Sequence, residues 1–285
     1  KKVAQACAQN LIPGVYECGG KDAVLIASDA NIKLAADEVL WSAMANAGQS
    51  CIGAERVYVH ENVADKFKET IIAAVKELQV GKSYGPATMP KQLEIIKRHV
   101  SDAIAAGANM LIGDTNSIGD RYVAPVVMMN VPENCTAMTE ETFGPTIAIN
   151  VVKDMDEAVR LSNASEYGLG ASVFSKRHGE KIASQLQCGA VTVNTGTLVA
   201  QNDSALGAGT LGTTVSSGAT LGLTGGVTTA NGTLSLSGTW STQPTKSCFG
   251  SLPSGSLTRI TNCFFKAGGF SSALSGCTAY APGTL

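Results

Sequence analysis

The chain has 285 residues, a length that suits one large or two ordinary domains with a sizeable core. Its formal net charge of −2 argues against a chain-wide basic surface, so we expect no nucleic acid as a partner. The sequence contains no uninterrupted apolar run long enough to cross a bilayer and no recognisable signal peptide, so we expect no membrane partner either.

The first part of the chain alternates helix and strand signals. "NIKLAADEVLWSAMANA" places apolar residues on one helical stripe, and "RVYV" is a short β-prone run. "NVADKFKETIIAAVKEL" predicts a second amphipathic helix with Asn62 as its N-cap. "KQLEIIKRHVSDAIAAGA" predicts a third helix that ends at Gly107, and "NMLIGD" predicts the strand that follows.

The same alternation continues towards Asn194. "TIAINVV", "ASVFS" and "GAVTVN" predict strands, and "MDEAVRLSNAS" and "GEKIASQLQ" predict helices between them. Strands separated by helical segments of this length are typical of an α/β fold with a parallel sheet and flanking helices.

The composition changes sharply after Asn194. Of 21 basic and 23 acidic side chains, only Asp203, Lys246, Arg259 and Lys266 lie beyond it. A shift of this kind marks a boundary, so we predict one unit over 1–194, a second over 195–238 and an unassigned low-complexity tail over 239–285.

A short repeat runs through the second unit. The leucines of Gly196-Thr197-Leu198, Gly209-Thr210-Leu211, Ala219-Thr220-Leu221 and Gly232-Thr233-Leu234 recur with an approximate period of 23 residues. This period with β-prone runs and glycine turns favours a β-solenoid, although a disordered Gly/Ser/Thr linker is an equal alternative.

Two stretches carry candidate chemistry. Cys51 sits in "NAGQSCIGAERVYV", between glycines that suit a loop facing a cleft, although free cysteines are more often small buried hydrophobes. Glu17 precedes the glycine pair of "YECGGKDA", and a carboxylate in a partly apolar cleft can act as a base near neutral pH. Cys51 is therefore a candidate nucleophile, and Glu17 a candidate base that activates water.

The other cysteines and histidines indicate no metal site. None of the eight cysteines forms a C-x-x-C pair and the three histidines are isolated, which argues against zinc. The scattered spacing of the first five cysteines suits a reducing compartment, so we expect a cytoplasmic location for the first unit.

Five motifs in order carry a family resemblance. "ECGGKDA", "NAGQSCIGAERVYV", "EETFGP", "EYGLGASVFS" and "GAVTVN", with Cys51 34 positions after Glu17, resemble the NAD(P)-dependent aldehyde dehydrogenase superfamily. The resemblance covers Lys1 to about Asn194, which corresponds to the family's catalytic domain and the very end of its cofactor domain.

The resemblance implies a small-molecule aldehyde as substrate and NAD or NADP as cofactor. Cys51 would attack the aldehyde carbonyl to give a thiohemiacetal, hydride transfer to the nicotinamide would leave a thioester, and water activated by Glu17 would release the carboxylate. Glu141 would bind the nicotinamide ribose, and Phe143 would limit the positions of the ring. The family also implies a homo-oligomer.

Several neighbouring residues are given structural interpretations. Cys18 takes a position where the family usually has leucine, and we interpret it as an apolar filler rather than a second reactive thiol. Lys21 and Arg56 are expected to support the loops rather than the reaction. Cys7, Cys135 and Cys188 are interpreted as structural, and His60, His99 and His178 as surface residues beside helix ends.

The resemblance changes after "VTVN". Residues from Asn194 to about Gly238 resemble the passenger-associated repeats of bacterial autotransporters, which are surface β-helices. One hypothesis is therefore a truncated or chimeric aldehyde dehydrogenase with impaired activity. The alternative is a non-enzymatic surface β-helix that carries an inert α/β remnant.

Overall fold

The structure is a computed structural model that describes residues 1–14, 16, 18–194, 197–200, 213–215, 220–223, 233–236, 259–261 and 278–280. Its α-helices are α1 Lys2–Gln9, α2 Ile32–Met44, α3 Glu61–Lys76, α4 Pro90–Ala105, α5 Thr136–Thr139, α6 Met155–Asn163 and α7 Gly179–Ala183. The strands of the first unit are β1 Asp22–Ile26, β2 Ala54–His60, β3 Asn109–Ile112, β4 Val126–Met129, β5 Thr146–Val152, β6 Gly170–Phe174 and β7 Ala190–Val193. The later strands are β8 Thr197–Ala200, β9 Thr213–Val215, β10 Thr220–Leu223, β11 Thr233–Leu236, β12 Arg259–Thr261 and β13 Thr278–Tyr280.

The main sheet confirms the predicted α/β class. Its strand order is β10-β8-β7-β6-β1-β2-β5-β4-β3, and the six strands from β7 to β4 in this order run parallel to one another. β3 pairs antiparallel with β4, and β8 pairs antiparallel with β7. A second sheet of four strands has the order β13-β12-β11-β9.

The parallel arrangement gathers four of the sequence motifs at one edge of the sheet. The glycine pair of "ECGGKDA" precedes β1, Cys51 precedes β2, "EETFGP" precedes β5 and "EYGL" precedes β6. Because parallel strands begin at the same edge, residues far apart in the sequence approach each other there.

The sheet is buried on both faces. Ala23 and Leu25 of β1 belong to one apolar cluster, and Val24 and Ile26 to the other. The first cluster packs under α4, α6 and α7, and the second under α2 and α3. Helices on both faces are the usual cover of a parallel sheet, and they hold the strand starts rigidly in register.

The predicted helices form with small differences at their ends. The apolar stripe of α2 is buried as expected. Asn62 is not the N-cap of α3, because β2 continues to His60 and the His60 ring accepts the N–H of Asn62 at 3.2 Å. Gly107 follows the end of α4 with a φ of 90°.

The repeat region is described only in its short strands. β8 and β10 pair in parallel with Leu198 opposite Leu221, two positions that are one repeat period apart. Most of 195–238 and 239–285 lies outside the described residues, so the β-solenoid, the linker alternative and the proposed unit boundaries stay predictions. Within the described part of the chain, no helix has the length and apolar character needed to cross a membrane.

Candidate active site

Cys51 lies on a loop whose backbone is fixed from within. A short 3-10 helix, Ala45–Gly48, precedes it, and Asn46 has a left-handed φ of 53°. The buried Gln49 side chain donates to the carbonyl of Asn46 at 2.9 Å and to that of Pro86 at 3.2 Å. The loop therefore holds its shape while the Cys51 thiol stays exposed.

The glycine pair before β1 packs directly against this loop. A Cβ at Gly20 would overlap the carbonyl oxygen of Cys51, so only glycine allows the two segments to meet. The N–H of Gly20 donates to Oε1 of Glu141 at 3.1 Å. Three of the five motifs therefore meet at Gly20.

Glu140 and Glu141 have different surroundings although they are adjacent. Glu140 forms an exposed ion pair with Arg98 at 2.5 Å. Glu141 is half-buried, and its own N–H donates to the Tyr167 hydroxyl at 3.3 Å. Burial raises the pKa of Glu141, opposed mainly by the hydrogen bond from Gly20. Of the two carboxylates, Glu141 is the one that faces the Cys51 loop.

A buried ion pair supports the turn that contains Glu141. Lys21 and Glu55 are both buried and form an ion pair, and Lys21 Nζ also donates to Thr142 Oγ1 at 3.1 Å. Burial lowers the pKa of Lys21, and the neighbouring Glu55 carboxylate opposes this shift. Lys21 was expected to support the loops, and its contacts agree with that. Glu55 was not singled out in the sequence.

Phe143 adopts a conformation that is unusual for its residue type. Its φ is 52°, in the left-handed region, where an L-residue costs about 1–2 kcal/mol. The N–H of Phe143 donates to Glu55 Oε1 at 2.9 Å, and the N–H of Thr142 donates to Glu55 Oε2 at 2.8 Å. These bonds hold the turn from the β2 side.

Helix α4 holds the same turn from the other side. Gln92 Nε2 donates to the carbonyl of Thr142 at 2.6 Å, and His99 Nδ1 lies 3.1 Å from Thr142 Oγ1. His99 is fully buried, so its interpretation as a surface residue is wrong. The helical stripe of α4 turns this ring inward, and burial lowers its pKa. His178 is exposed just before α7, as expected.

Two charged residues tie β1 to its neighbours below the loops. Asp22 is buried, and its Oδ1 accepts the N–H of Gly170 at 3.0 Å, which links β1 to β6. Arg56 is buried and donates to the carbonyls of Lys21 and of Leu161 at the end of α6. Arg56 thus supports the loops, as predicted.

The cysteines separate into buried and exposed groups. Burial raises the pKa of Cys188 to about 12 and also raises that of Cys135. Cys7 is half-buried, whereas Cys18 is exposed, which does not fit its interpretation as an apolar filler. Cys51 is exposed, and its carbonyl oxygen lies against Gly20, whose N–H donates to Glu141.

The remaining candidate residue is Glu17. It lies outside the described residues, so its role as a base stays a prediction, as do the roles of Cys51, Glu141 and Phe143. Across the part of the chain that the structure describes, no group of three or more His, Cys, Asp or Glu side chains could hold a metal ion.

Fold and site together define an α/β protein with an exposed cysteine beside a half-buried carboxylate. A family model described as "Aldehyde dehydrogenase family" matches residues 1–221, which extends past the change of composition at Asn194. The chain belongs to the aldehyde dehydrogenase family.

Individual relatives agree with this assignment. A Mycobacterium ulcerans protein that bears the name of an NADP+-linked succinate-semialdehyde dehydrogenase is 36% identical over 205 residues, covering 68% of this chain and 40% of the relative. 4,4'-Diapolycopene aldehyde oxidase of a Methylomonas species is 36% identical over 203 residues, covering 68% of this chain and 37% of the relative. The chain thus spans about 40% of the length of such relatives.

Solved structures match the same portion. NADP-dependent glyceraldehyde-3-phosphate dehydrogenase from Bacillus halodurans, in complex with NADP, is 33% identical with a TM-score of 0.63, and the match covers 68% of this chain and 42% of that one. Succinate-semialdehyde dehydrogenase from Burkholderia pseudomallei is 30% identical with a TM-score of 0.65, with the same coverage.

Proposed function

We propose that this protein oxidises an aldehyde to a carboxylic acid with NAD+ or NADP+, through a covalent intermediate on Cys51. One observation carries the proposal: Gly20 packs on the Cys51 carbonyl while its N–H binds Glu141, so that three family motifs meet beside an exposed thiol. The relatives named for succinate semialdehyde and NADP+ support the reaction class and the cofactor class.

Cys51 would begin the reaction as its thiolate. The sulfur adds to the aldehyde carbonyl, and the negative charge develops on the carbonyl oxygen. The backbone N–H of Cys51 is a candidate donor to that oxygen, and a donor held in advance is worth more than one that must reorganise. The rigid loop set by Gln49 is suited to this task.

Glu17 would complete the reaction. After the carbonyl carbon has been oxidised, the intermediate is a thioester on Cys51, and water must attack the same carbon. Glu17 would accept a proton from that water, and the Cys51 sulfur would leave as the thiolate. The 34-residue spacing and the packing of Gly20 on Cys51 support this pairing.

The described residues fit the nicotinamide end of the cofactor. Glu141 presents a half-buried carboxylate, which is an acceptor for the two hydroxyls of a ribose, and it lies against Gly19, where a side chain would overlap it. Phe143 offers a half-buried aromatic surface on the same turn. The nicotinamide, when bound, supplies the hydride acceptor.

A test of this function needs a defined substrate panel and one decisive variant. With the full chain, NAD+ or NADP+, and succinate semialdehyde, glyceraldehyde 3-phosphate or lactaldehyde, we expect an absorbance burst at 340 nm of one equivalent per chain. Cys51→Ala should abolish it, since no thioester can form. Cys7→Ala, which alters a half-buried thiol on α1, should leave the burst unchanged.

A second candidate is a surface β-helix carrying an inert α/β unit. It is favoured by the parallel pairing of Leu198 with Leu221, one repeat period apart. This candidate requires no chemistry at Cys51. A folded chain whose Cys51 gives no burst with any aldehyde of the panel would favour it over the enzyme.

A further inference from the structure

Glu55 is a buried carboxylate that accepts from two other segments of the site. It lies on β2 with 7% of its surface exposed. Lys21, just before β1, forms an ion pair with it, and the backbone N–H groups of Thr142 and Phe143 reach its two oxygens at 2.8 and 2.9 Å. One side chain therefore joins the start of β1, the start of β2 and the turn before β5.

The turn needs such a support. Phe143 holds a left-handed φ of 52°, which a residue with a side chain keeps only where its surroundings impose it. Both N–H groups at this bend donate to Glu55, and Lys21 also donates to the Thr142 hydroxyl. The conformation of the turn is therefore tied to the acceptor oxygens of Glu55.

The conformation of this turn also decides which side chains face the Cys51 loop. Glu141 and Phe143 flank Thr142, whose N–H is held by Glu55, and Glu141 reaches the N–H of Gly20 beside Cys51. If the turn relaxed to an ordinary φ at Phe143, the direction of both flanking side chains would change.

We propose that Glu55 is a positioning residue for the cofactor turn Glu141–Phe143, an inference that rests on the function proposed above. Its oxygens hold the two backbone N–H groups so that Glu141 and Phe143 face a bound nicotinamide ribose and ring. Lys21 supplies the counter-charge that allows the carboxylate to be buried.

The competing explanation is that Lys21 and Glu55 form only a structural ion pair, and three variants separate the two. Glu55→Gln keeps the shape of the side chain but turns one acceptor oxygen into an NH₂ group facing the turn, and leaves Lys21 unpaired. Lys21→Met removes the counter-charge and keeps both acceptors. The double variant removes both charges. It therefore leaves no Lys21 ammonium without a counter-charge, but it still lacks the second acceptor oxygen of Glu55.

Two measurements follow these variants. Hydrogen exchange by mass spectrometry on the peptide covering 140–145 reports the N–H groups of Thr142 and Phe143 whether or not the chain turns over. The KM values for NAD(P)+ and for the aldehyde report the consequence for the cofactor separately from the substrate. Glu157→Gln, on α6 far along the chain, is the control.

In the double variant we expect exchange in 140–145 to accelerate at least tenfold, with unchanged exchange in β5. The KM for NAD(P)+ should rise at least tenfold and that for the aldehyde less than twofold. Lys21→Met should accelerate this exchange by less than the double variant does, because both acceptor oxygens of Glu55 remain although their counter-charge is lost.

Three results would overturn the proposal. They are slow exchange of 140–145 in the double variant, fast exchange there with an unchanged KM for NAD(P)+, and an acceleration in Lys21→Met as large as that in the double variant. If Glu55→Gln does not fold, the double variant and Lys21→Met still decide. If wild type neither turns over nor binds dinucleotide in a fluorescence titration, the proposed function fails and the cofactor role of Glu55 fails with it. The exchange data would then report only whether Glu55 fixes the turn.

Discussion

Asp22 is a buried carboxyl at the start of β1, with 8% of its surface exposed. Burial raises its pKa to about 7, opposed by the N–H of Gly170 and by Arg56, and assisted by Glu55 and Glu141. The folded chain therefore binds this proton more tightly than the unfolded chain, whose Asp22 has the ordinary value of 3.8. The resulting stability is complete below about pH 4 and is lost as the pH rises through about 7.

Asp22→Asn removes this titration and keeps an acceptor for the N–H of Gly170. Between pH 5 and pH 8, the wild-type chain should lose about 2 to 3 kcal/mol more unfolding free energy than the variant. Urea unfolding at the two pH values measures the difference. Asp156→Asn, at an exposed position on α6, should leave this change of unfolding free energy with pH as it is in the wild type. Parallel pH profiles for wild type and Asp22→Asn would contradict the raised pKa.

The contacts of individual residues also show which parts of the site could not be predicted from the sequence. Cys51 and Glu141 lie in short motifs, so local residues were enough to nominate them. Glu55 and Tyr167 also lie in quoted motifs, Glu55 in that of Cys51 and Tyr167 in "EYGLGASVFS", but their contacts join segments that are distant in the sequence. Glu55 reaches Thr142 over 87 positions, and Tyr167 reaches Glu141 over 26. No local pattern encodes such a pairing, because the register of the parallel strands creates it.

At the scale of elements, periodicity predicted the amphipathic helices and most strands of the first unit. β1 was not singled out because "DAVLI" is buried on both faces and carries no alternation. His99 was misjudged although its spacing from Ile96, Val100 and Ala103 places it on the buried stripe of α4, because a polar side chain was expected to face solvent. β2 is buried on both faces as well, but the β-prone run "RVYV" predicted it from composition rather than from periodicity.

Two glycines at helix ends allow a test of the Cys51 loop. Gly48 closes the 3-10 helix with a φ of 71°, and Gly107 follows α4 with a φ of 90°. A Cβ at Gly48 would overlap the carbonyl of Gly144, whereas no heavy atom lies within 4 Å of one at Gly107. Both substitutions by Ala incur the left-handed penalty, but only Gly48→Ala adds a collision with backbone.

We expect Gly107→Ala to cost about 1 kcal/mol of unfolding free energy and Gly48→Ala at least about 3 kcal/mol. Urea unfolding measures both. Because Gly48 lies next to the thiol loop, Gly48→Ala should also change the rate at which iodoacetamide labels Cys51, which Gly107→Ala should not. Equal costs in the two variants would mean that the Gly144 contact does not constrain the loop.

At the scale of the whole molecule, the described cores lie on one side of the composition change. All the buried residues of both apolar clusters fall between Ala23 and Val193. The contacts among Gly20, Cys51, Glu55 and the turn before β5 also lie before Asn194. Beyond Asn194, β8 joins this unit by pairing antiparallel with β7, and β10 extends the same sheet from β8.

A chain that ends at Asn194 should therefore fold by itself. We expect one cooperative urea transition, with an unfolding free energy within about 2 kcal/mol of that of the full chain, because both apolar clusters are retained. Its β7 edge loses β8, and an uncovered edge strand favours association, so sedimentation should detect dimers or larger species at high concentration. A chain that ends at Leu223 keeps β8 and β10, and therefore the edge strand of the full chain, so it should associate no more than the full chain does. If both shortened chains are unfolded, the core depends on residues after Leu223, and a boundary at Asn194 is excluded.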